Sequence, residues 1–247
     1  MSSLRSADLS WFDLRDRLAA GSPLILSVGS FEQHGPHLPM ATDSIVVEAL
    51  ATRIATRVGG ITLPVLPFGA PSRPRSGGGP AFAAPALRLP TLLAAVEQIA
   101  ADAIAAGAQR LVALSWHWEN AAVLWDALHG PLTGSPARAF LFDAPWDYLT
   151  PALVEELFPG EEPDWPSDHA GHLETAIMRH LAPDLVGEPP APVAFRPRRS
   201  YDVLPTPPDA VPHTGVVLDA GAMTAAVGER CVAAMVDGIA AAIADEG

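Results

Sequence analysis

Leu24-Ile25-Leu26-Ser27-Val28-Gly29, running on through Ser30-Phe31-Glu32-Gln33-His34-Gly35-Pro36-His37-Leu38-Pro39 to Thr42-Asp43, joins an apolar run, a polar connection and a helix start. Five consecutive residues ending at a glycine read as a short buried strand. Thr42-Asp43 is placed to cap a helix that carries Ile45-Val46-Val47-Glu48-Ala49-Leu50 and continues to Arg57, where Gly59-Gly60 stops it. A strand followed by a helix is half of a βαβ unit.

The same alternation continues outward from this stretch. Ile61 to Leu66 is a second β-branched run, and beyond a proline- and glycine-rich loop a helix is predicted from about Pro90 to Ala106, ended by Gly107. Arg110 to Ser115 reads as a third strand, Ala121 to His129 as a helix opened by Asn120, and Ala139-Phe140-Leu141-Phe142 as a fourth strand. Strands alternating with helices predict an α/β fold in three α/β/α layers around a mostly parallel sheet. Helices are also expected over Pro151 to Leu157, Gly171 to Leu181 and Ala220 to Ala244. Residues 189–212 hold eight prolines and read as an extended excursion or a subunit contact. One domain over 1–247 is expected, since 247 residues at 49% hydrophobic content suffice for one large core.

Composition excludes several function classes. A formal charge of −13 would repel a polyanion, so neither nucleic acid nor an anionic membrane is an expected partner, and a small-molecule substrate is. All fifteen basic residues are arginine, which removes Schiff-base lysines and the lysine of a phosphate-binding loop. A single cysteine, Cys231, lies in an apolar helical pattern and reads as a buried, inert thiol. With no run of about 20 apolar residues and no apolar signal core after Met1, a cytoplasmic protein is expected.

The chemistry concentrates at two predicted strand ends, where parallel α/β sheets bind ligands. Glu32 and His34 follow the first strand, His117 and Glu119 follow the third, and Asp43 lies between. Residues two apart in extended chain point the same way, so each pair faces one cavity. Shared through Asp43, the five divide into Glu32, Asp43 and His117 for one divalent cation and His34, Asp43 and Glu119 for another. Three protein ligands per ion leave room for water, as in catalytic sites, and mixed carboxylate and imidazole donors suit Zn²⁺ or Mn²⁺. Taken singly, each residue also reads as a surface acid, a turn residue or a cap; two strand ends carrying this set together are not what capping produces.

The run from Val28 to Pro39 with Asp43 resembles the metal-binding signature of the creatininase family, and His117-Trp118-Glu119-Asn120 resembles its second signature in the form carried by the creatinine-hydrolysing members. The likeness extends to Ser76-Gly77-Gly78-Gly79, Pro145-Trp146-Asp147-Tyr148, Trp165 with His169, Gly171 with Glu174-Thr175, and Tyr201-Asp202-Val203. It implies a creatininase-like fold and a hydrolase with two metal ions that opens the cyclic amide of creatinine reversibly, through a hydroxide bridging the two ions. It also implies His169 as proton donor to the departing nitrogen, Asp168 as its orienting carboxylate, and a homo-oligomer, often a hexamer. Trp146 and Trp165 are implied as walls of the substrate pocket, with Trp118 a further aromatic wall, Ser76 a hydroxyl contact, and Gly77 to Gly79 allowing close backbone approach. Trp125, in an apolar helical pattern, is expected in the core. Glu174 reads as a residue outside the ligand set, at a helix start, and His37 has no assigned part.

Two departures keep other readings open. Trp118 stands where the creatinine-hydrolysing members carry tyrosine, and Pro166 removes one of two acids before His169. Hydrolysis of another amide, whether a formamide, a peptide bond or a sugar-derived ring, is the alternative. A metal-stabilised binding protein without catalysis is the third reading.

Overall fold

The computed structural model describes residues 4–76, 82, 84–191, 201, 203–207, 210–216, 220–221 and 223–246. Gly77 to Gly79 and Asp202 lie outside the described residues.

Four parallel strands form the sheet: β1 (Leu24–Val28), β2 (Ile61–Thr62), β3 (Arg110–Ser115) and β4 (Arg138–Phe142), in the order β2-β1-β3-β4. The helices are α1 (Trp11–Ala19), α2 (Thr42–Val58), α3 (Leu89–Ala105), α4 (Ala121–Leu132), α5 (Pro151–Leu157), α6 (His172–Leu181) and α7 (Ala225–Asp245). Alternate side chains of the central strands serve opposite faces. Ile25, Val112 and Leu114 join the core made with α2, α6 and α7, while Leu24, Leu26, Leu111 and Ala113 face the α1, α3 and α4 side. The three α/β/α layers follow from that division.

α2 buries Val46, Val47, Leu50, Ala51, Ile54 and Ala55, one stripe at helical spacing, and ends at Gly59 in the left-handed region (φ 65°), whose N–H reaches the Ala55 carbonyl. Its start differs from expectation. Ala41 is the N-cap residue, and Thr42 and Asp43 already lie in the first turn, so Asp43 is free to turn inward instead of capping. The close approach of β1 to this helix requires Gly29, where a Cβ would lie 2.7 Å from the Ser44 backbone.

The second strand is shorter than the run Ile61 to Leu66 suggested. Pro64 has no N–H for the ladder, so regular pairing stops at Thr62, although Leu63 and Leu66 still donate to Ile25 and Ser27 carbonyls of β1. The last helix begins at Ala225 rather than Ala220, capped by the Thr224 hydroxyl. α1 was not foreseen. Its signal was present in Ser10, whose hydroxyl accepts the Asp13 N–H three residues on. Trp125 is not in the core. α4 buries Val123, Leu124, Ala127 and Leu128, which places Trp125 on the opposite side, 63% exposed and stacked on His129 one turn later. Cys231 is buried, and burial pushes its thiol up to about 11. The described residues of 189–212 hold no helix or strand. No described helix is long and apolar enough to cross a membrane.

From β1 the chain moves to β2 on one side and, by way of α3, crosses to β3 on the other. The carboxyl ends of β1 and β3 therefore flank a topological switch point, the crevice where such sheets hold ligands.

Candidate metal centre and substrate pocket

Both polar segments open from that crevice. Asn120, fully buried, ties them together: its amide donates to the Gly29 carbonyl and the Ser115 hydroxyl and accepts from the Ala70 N–H. With the strand ends locked, Glu32, His34, Asp43 and His117 converge as buried side chains.

Asp43 lies at the middle. Its Oδ1 is 3.2 Å from His34 Nε2, and its Oδ2 is 3.3 Å from His117 Nδ1. Glu32 Oε1 approaches the same His117 Nδ1 to 2.6 Å, and Glu174 Oε2 lies 3.6 Å from His34 Nε2. Among the described residues, Glu32, Asp43 and His117 form one set of potential ligand atoms within 4.8 Å of one another, and His34, Asp43 and Glu174 form a second. Glu32, His34 and His169 make a third, overlapping set.

The first set is the one the sequence suggested; the second differs. Glu119 lies on the other side of the His117 ring, with Oε2 3.3 Å from Nε2 and Oε1 accepting the Arg73 N–H at 2.8 Å. Glu174 takes the place beside His34. The intervening Trp118–Asn120 segment is a 3-10 turn, not extended chain, so His117 and Glu119 do not project in parallel. The clue to Glu174 was Gly171 before a helix that would bring its first turn to the strand ends.

The electrostatics fit cations. Burial pulls the His34 and His117 imidazoles down, but Asp43 and Glu174 around His34, and Glu32 and Asp43 around His117, raise both well above the ordinary histidine value. Burial likewise works against charge on the carboxyls, yet His34 and His117 hold Asp43 at about 2, and His34 with His169 holds Glu174 at about 2. Glu32 is also lowered against its burial, by His117 and then His169. His34 Nε2 and Asp43 Oδ2 are buried without a hydrogen-bond partner, the first opposite Asp43 Oδ1 and the second opposite His117 Nδ1. Such atoms are costly unless something binds them, and a divalent cation fits their chemistry.

His37, in the same signature, is behind this cluster. Its Nε2 pairs with the Thr175 hydroxyl at 3.0 Å, and burial with the neighbouring His34 lowers it to about 4.

His169 enters from the opposite wall, its ring 4.4 Å from that of His34. Its Nε2 lies 2.6 Å from the Gln33 carbonyl, and the Gln33 side chain donates to Gly215 O and accepts from Gly35 N–H. Gln33 was not singled out in the sequence, yet it orients His169. Asp168, expected in that part, turns its carboxylate to α6 instead: Oδ1 and Oδ2 accept the N–H groups of His172 and Leu173 at 2.7 and 3.0 Å. Burial, with Glu174 nearby, keeps its carboxyl well above the ordinary value. Ala170, between His169 and Gly171, is left-handed at φ 53° and gives its N–H to Glu174 Oε2 at 2.6 Å.

Above the cluster opens a cleft lined by Ser76, Trp116, Trp118, Glu119, Trp146, Trp165, Pro166, Asp168 and His169, with Glu32, Asp43 and Glu174 at its floor. Trp118 lies parallel to Trp146 with centroids 5.9 Å apart, and Trp165 stands tilted to Trp146 at 6.4 Å. All four residues expected to touch substrate thus border one cavity. Trp116, unexpected, forms its inner wall.

Residues 7–243 match the family described as Creatininase: Creatinine amidohydrolase. The creatinine amidohydrolase of Pseudomonas putida is 34% identical over 97% of this chain and 95% of that protein. The mycofactocin precursor peptide peptidase of Mycobacterium tuberculosis is 33% identical over 90% of this chain and 84% of its own length. A crystal structure of creatinine amidohydrolase superposes with a TM-score of 0.92 at 32% identity, covering all of this chain and 98% of the other. Similar solved structures include a Zn-Zn type and a Mn form, both at 32% identity, and a mutant complexed with creatine at 31%.

Proposed function

Because the chain belongs to the creatininase family, we propose that it is a two-metal amidohydrolase that interconverts creatinine and creatine. The observation that carries this reading is the joint presence of the shared Asp43 and the parallel pair Trp118 and Trp146 in one cleft. Glu32, Asp43 and His117 would hold one divalent cation and His34, Asp43 and Glu174 the other, Zn²⁺ or Mn²⁺. Bound there, the cations supply Lewis acidity and a nucleophilic water at neutral pH.

The chain's own residues do the rest. The indoles of Trp118, Trp146 and Trp165 hold a flat ring and favour its cationic form, and Ser76 and Glu119 add polar groups to the lining. His169 gives its proton to the amide nitrogen as the carbon–nitrogen bond breaks, and in the reverse direction takes it back. Gln33 fixes the ring for that transfer through the carbonyl bond to Nε2, leaving Nδ1 to carry the moving proton. Asp168 acts by position, seating the helix that bears Glu174. As a working enzyme we take residues 1–247 to be a single domain that acts in the cytoplasm as a homo-oligomer.

A second reading is favoured by Pro166 in the pocket wall and by the peptidase relatives: cleavage of another amide, such as a peptide bond. Purified protein loaded with Zn²⁺ or Mn²⁺ and given creatinine, creatine and a panel of formamides and peptides separates the two. Turnover of creatinine in both directions, abolished by chelation, supports the first; turnover confined to another amide replaces it.

A further inference from the structure

Trp116 was no part of either signature as read from the sequence, yet it touches both halves of the site. It is 3% exposed at the end of β3, directly before His117. Its indole Nε1 donates to Glu174 Oε1 at 2.9 Å. The other oxygen of that carboxylate, Oε2, receives the Ala170 N–H and faces His34. The two oxygens therefore have separate duties: Oε1 is anchored, and Oε2 is presented. On its other side the Trp116 ring meets Trp146 edge to face, centroids 5.6 Å apart at 84°. Trp146 in turn stacks on Trp118, which is 45% exposed at the mouth. A chain of three indoles thus runs from the Glu174 carboxylate to solvent.

We propose that Trp116 is a positioning residue that fixes the rotation of Glu174, and thereby sets the affinity of the cation site formed with His34 and Asp43, while bracing the inner face of the Trp146 wall. The inference rests on the two-cation reading above and adds to it the residue that tunes one site and not the other. An indole N–H is a donor only and has one geometry once its ring is packed, so it holds a carboxylate oxygen in place more stringently than a hydroxyl that rotates. A hydrogen-bond partner of this kind behind a metal-binding carboxylate typically changes affinity by about 10–100-fold when removed. Phenylalanine at 116 would keep most of the ring contact with Trp146 but leave Oε1 without its donor.

The test is Zn²⁺ titration of the chelated full chain against a competing chelator, with Glu32→Gln and Glu174→Gln used to assign the two binding steps. Trp116→Phe is expected to weaken the step that Glu174→Gln weakens, by about tenfold or more, and to leave the Glu32 step unchanged. In the double variant Trp116→Phe with Glu174→Gln the losses should not add, because both remove the same contact. Equal weakening of both steps, or none, overturns the proposal, the first outcome meaning general packing. In ¹⁵N-labelled wild-type chain the Trp116 indole resonance should shift with that step; a resonance that stays put overturns the proposal even where the variant fails to fold. Uptake of fewer than two equivalents by the wild type would sink the two-cation reading and this inference with it, whereas two intact steps with an unaffected Trp116→Phe would sink this inference alone.

Discussion

His169 is held by the backbone of Gln33, not by a neighbouring side-chain acid: the ring Nε2 lies 2.6 Å from the Gln33 carbonyl, 136 residues away in sequence. A carbonyl partner fixes the ring without adding a charge. Replacing His169 by asparagine should lower kcat by about 10²–10⁴ while both metal equivalents remain. Metal analysis alongside steady-state kinetics checks this, and unchanged turnover would remove His169 from proton transfer.

Asp43 has no substitute as the shared carboxylate. Asp43→Ala is expected to lose both equivalents of Zn²⁺, since Asp43 belongs to both of the sets proposed to hold the two cations, with Glu32 and His117 in one and with His34 and Glu174 in the other. Elemental analysis after dialysis decides the matter; retention of two ions would show that the sites do not share a ligand.

Cation uptake should depend on pH in a definite direction. In chelated protein the surrounding carboxylates raise the imidazoles of His34 and His117, so each keeps its proton to higher pH than an ordinary histidine. A cation must displace these protons, so affinity should rise with pH, by up to about tenfold per pH unit for each proton released, until the raised values are passed. Calorimetry of Zn²⁺ binding in buffers of different ionisation enthalpy counts the protons. A release of none would contradict the electrostatics described.

Trp118 forms the outer leaf of the aromatic wall and is still half in solvent. Trp118→Ala should therefore act on substrate binding more than on chemistry, raising KM by about three- to tenfold, the equivalent of roughly 0.5–1.5 kcal/mol of aromatic contact. A fall in kcat at constant KM would instead place Trp118 in the reacting geometry.

Asp168 reaches the first N–H groups of α6 with both oxygens, and Gly171 leaves it the space, since a Cβ there would lie 2.3 Å from Oδ1. Asp168→Ala should destabilise the chain by about 0.5–2 kcal/mol and loosen the turn that presents Glu174. Denaturant unfolding together with Zn²⁺ affinity measures both effects. Unaltered stability would mean that the helix start does not depend on this cap.

The sheet was legible because its strands are short, apolar and ended by glycines or polar motifs; Arg110–Ser115 and Leu24–Val28 have the expected bounds. Side-chain partnerships were legible only where they followed local periodicity. Glu32, Asp43 and His117 come together because strand ends and a helix start bring them there. The sequence reading set Glu119 with His34, whereas the structure brings Glu174 beside it, because a 3-10 turn after His117 redirects Glu119 and because long-range docking of α6 is not written in local pattern. Trp116 and Gln33 escaped notice for a related reason: their importance lies in a hydrogen bond to a residue distant in the chain. Trp125 shows the reverse, an apolar residue whose helical phase sends it outward.

The proline that cuts β2 short also shapes the outer margin of the sheet. An outer strand with a long free ladder invites another chain to add to it. Here the ladder at that margin is only Ile61 and Thr62, and Thr62 already gives its N–H to the Leu4 carbonyl from the amino-terminal segment, with Arg5 bridged beside it. Strand addition has almost nothing to grip on this flank. The edge is blunted by a proline and by a covering segment, without recourse to lysine, a residue this chain does not contain.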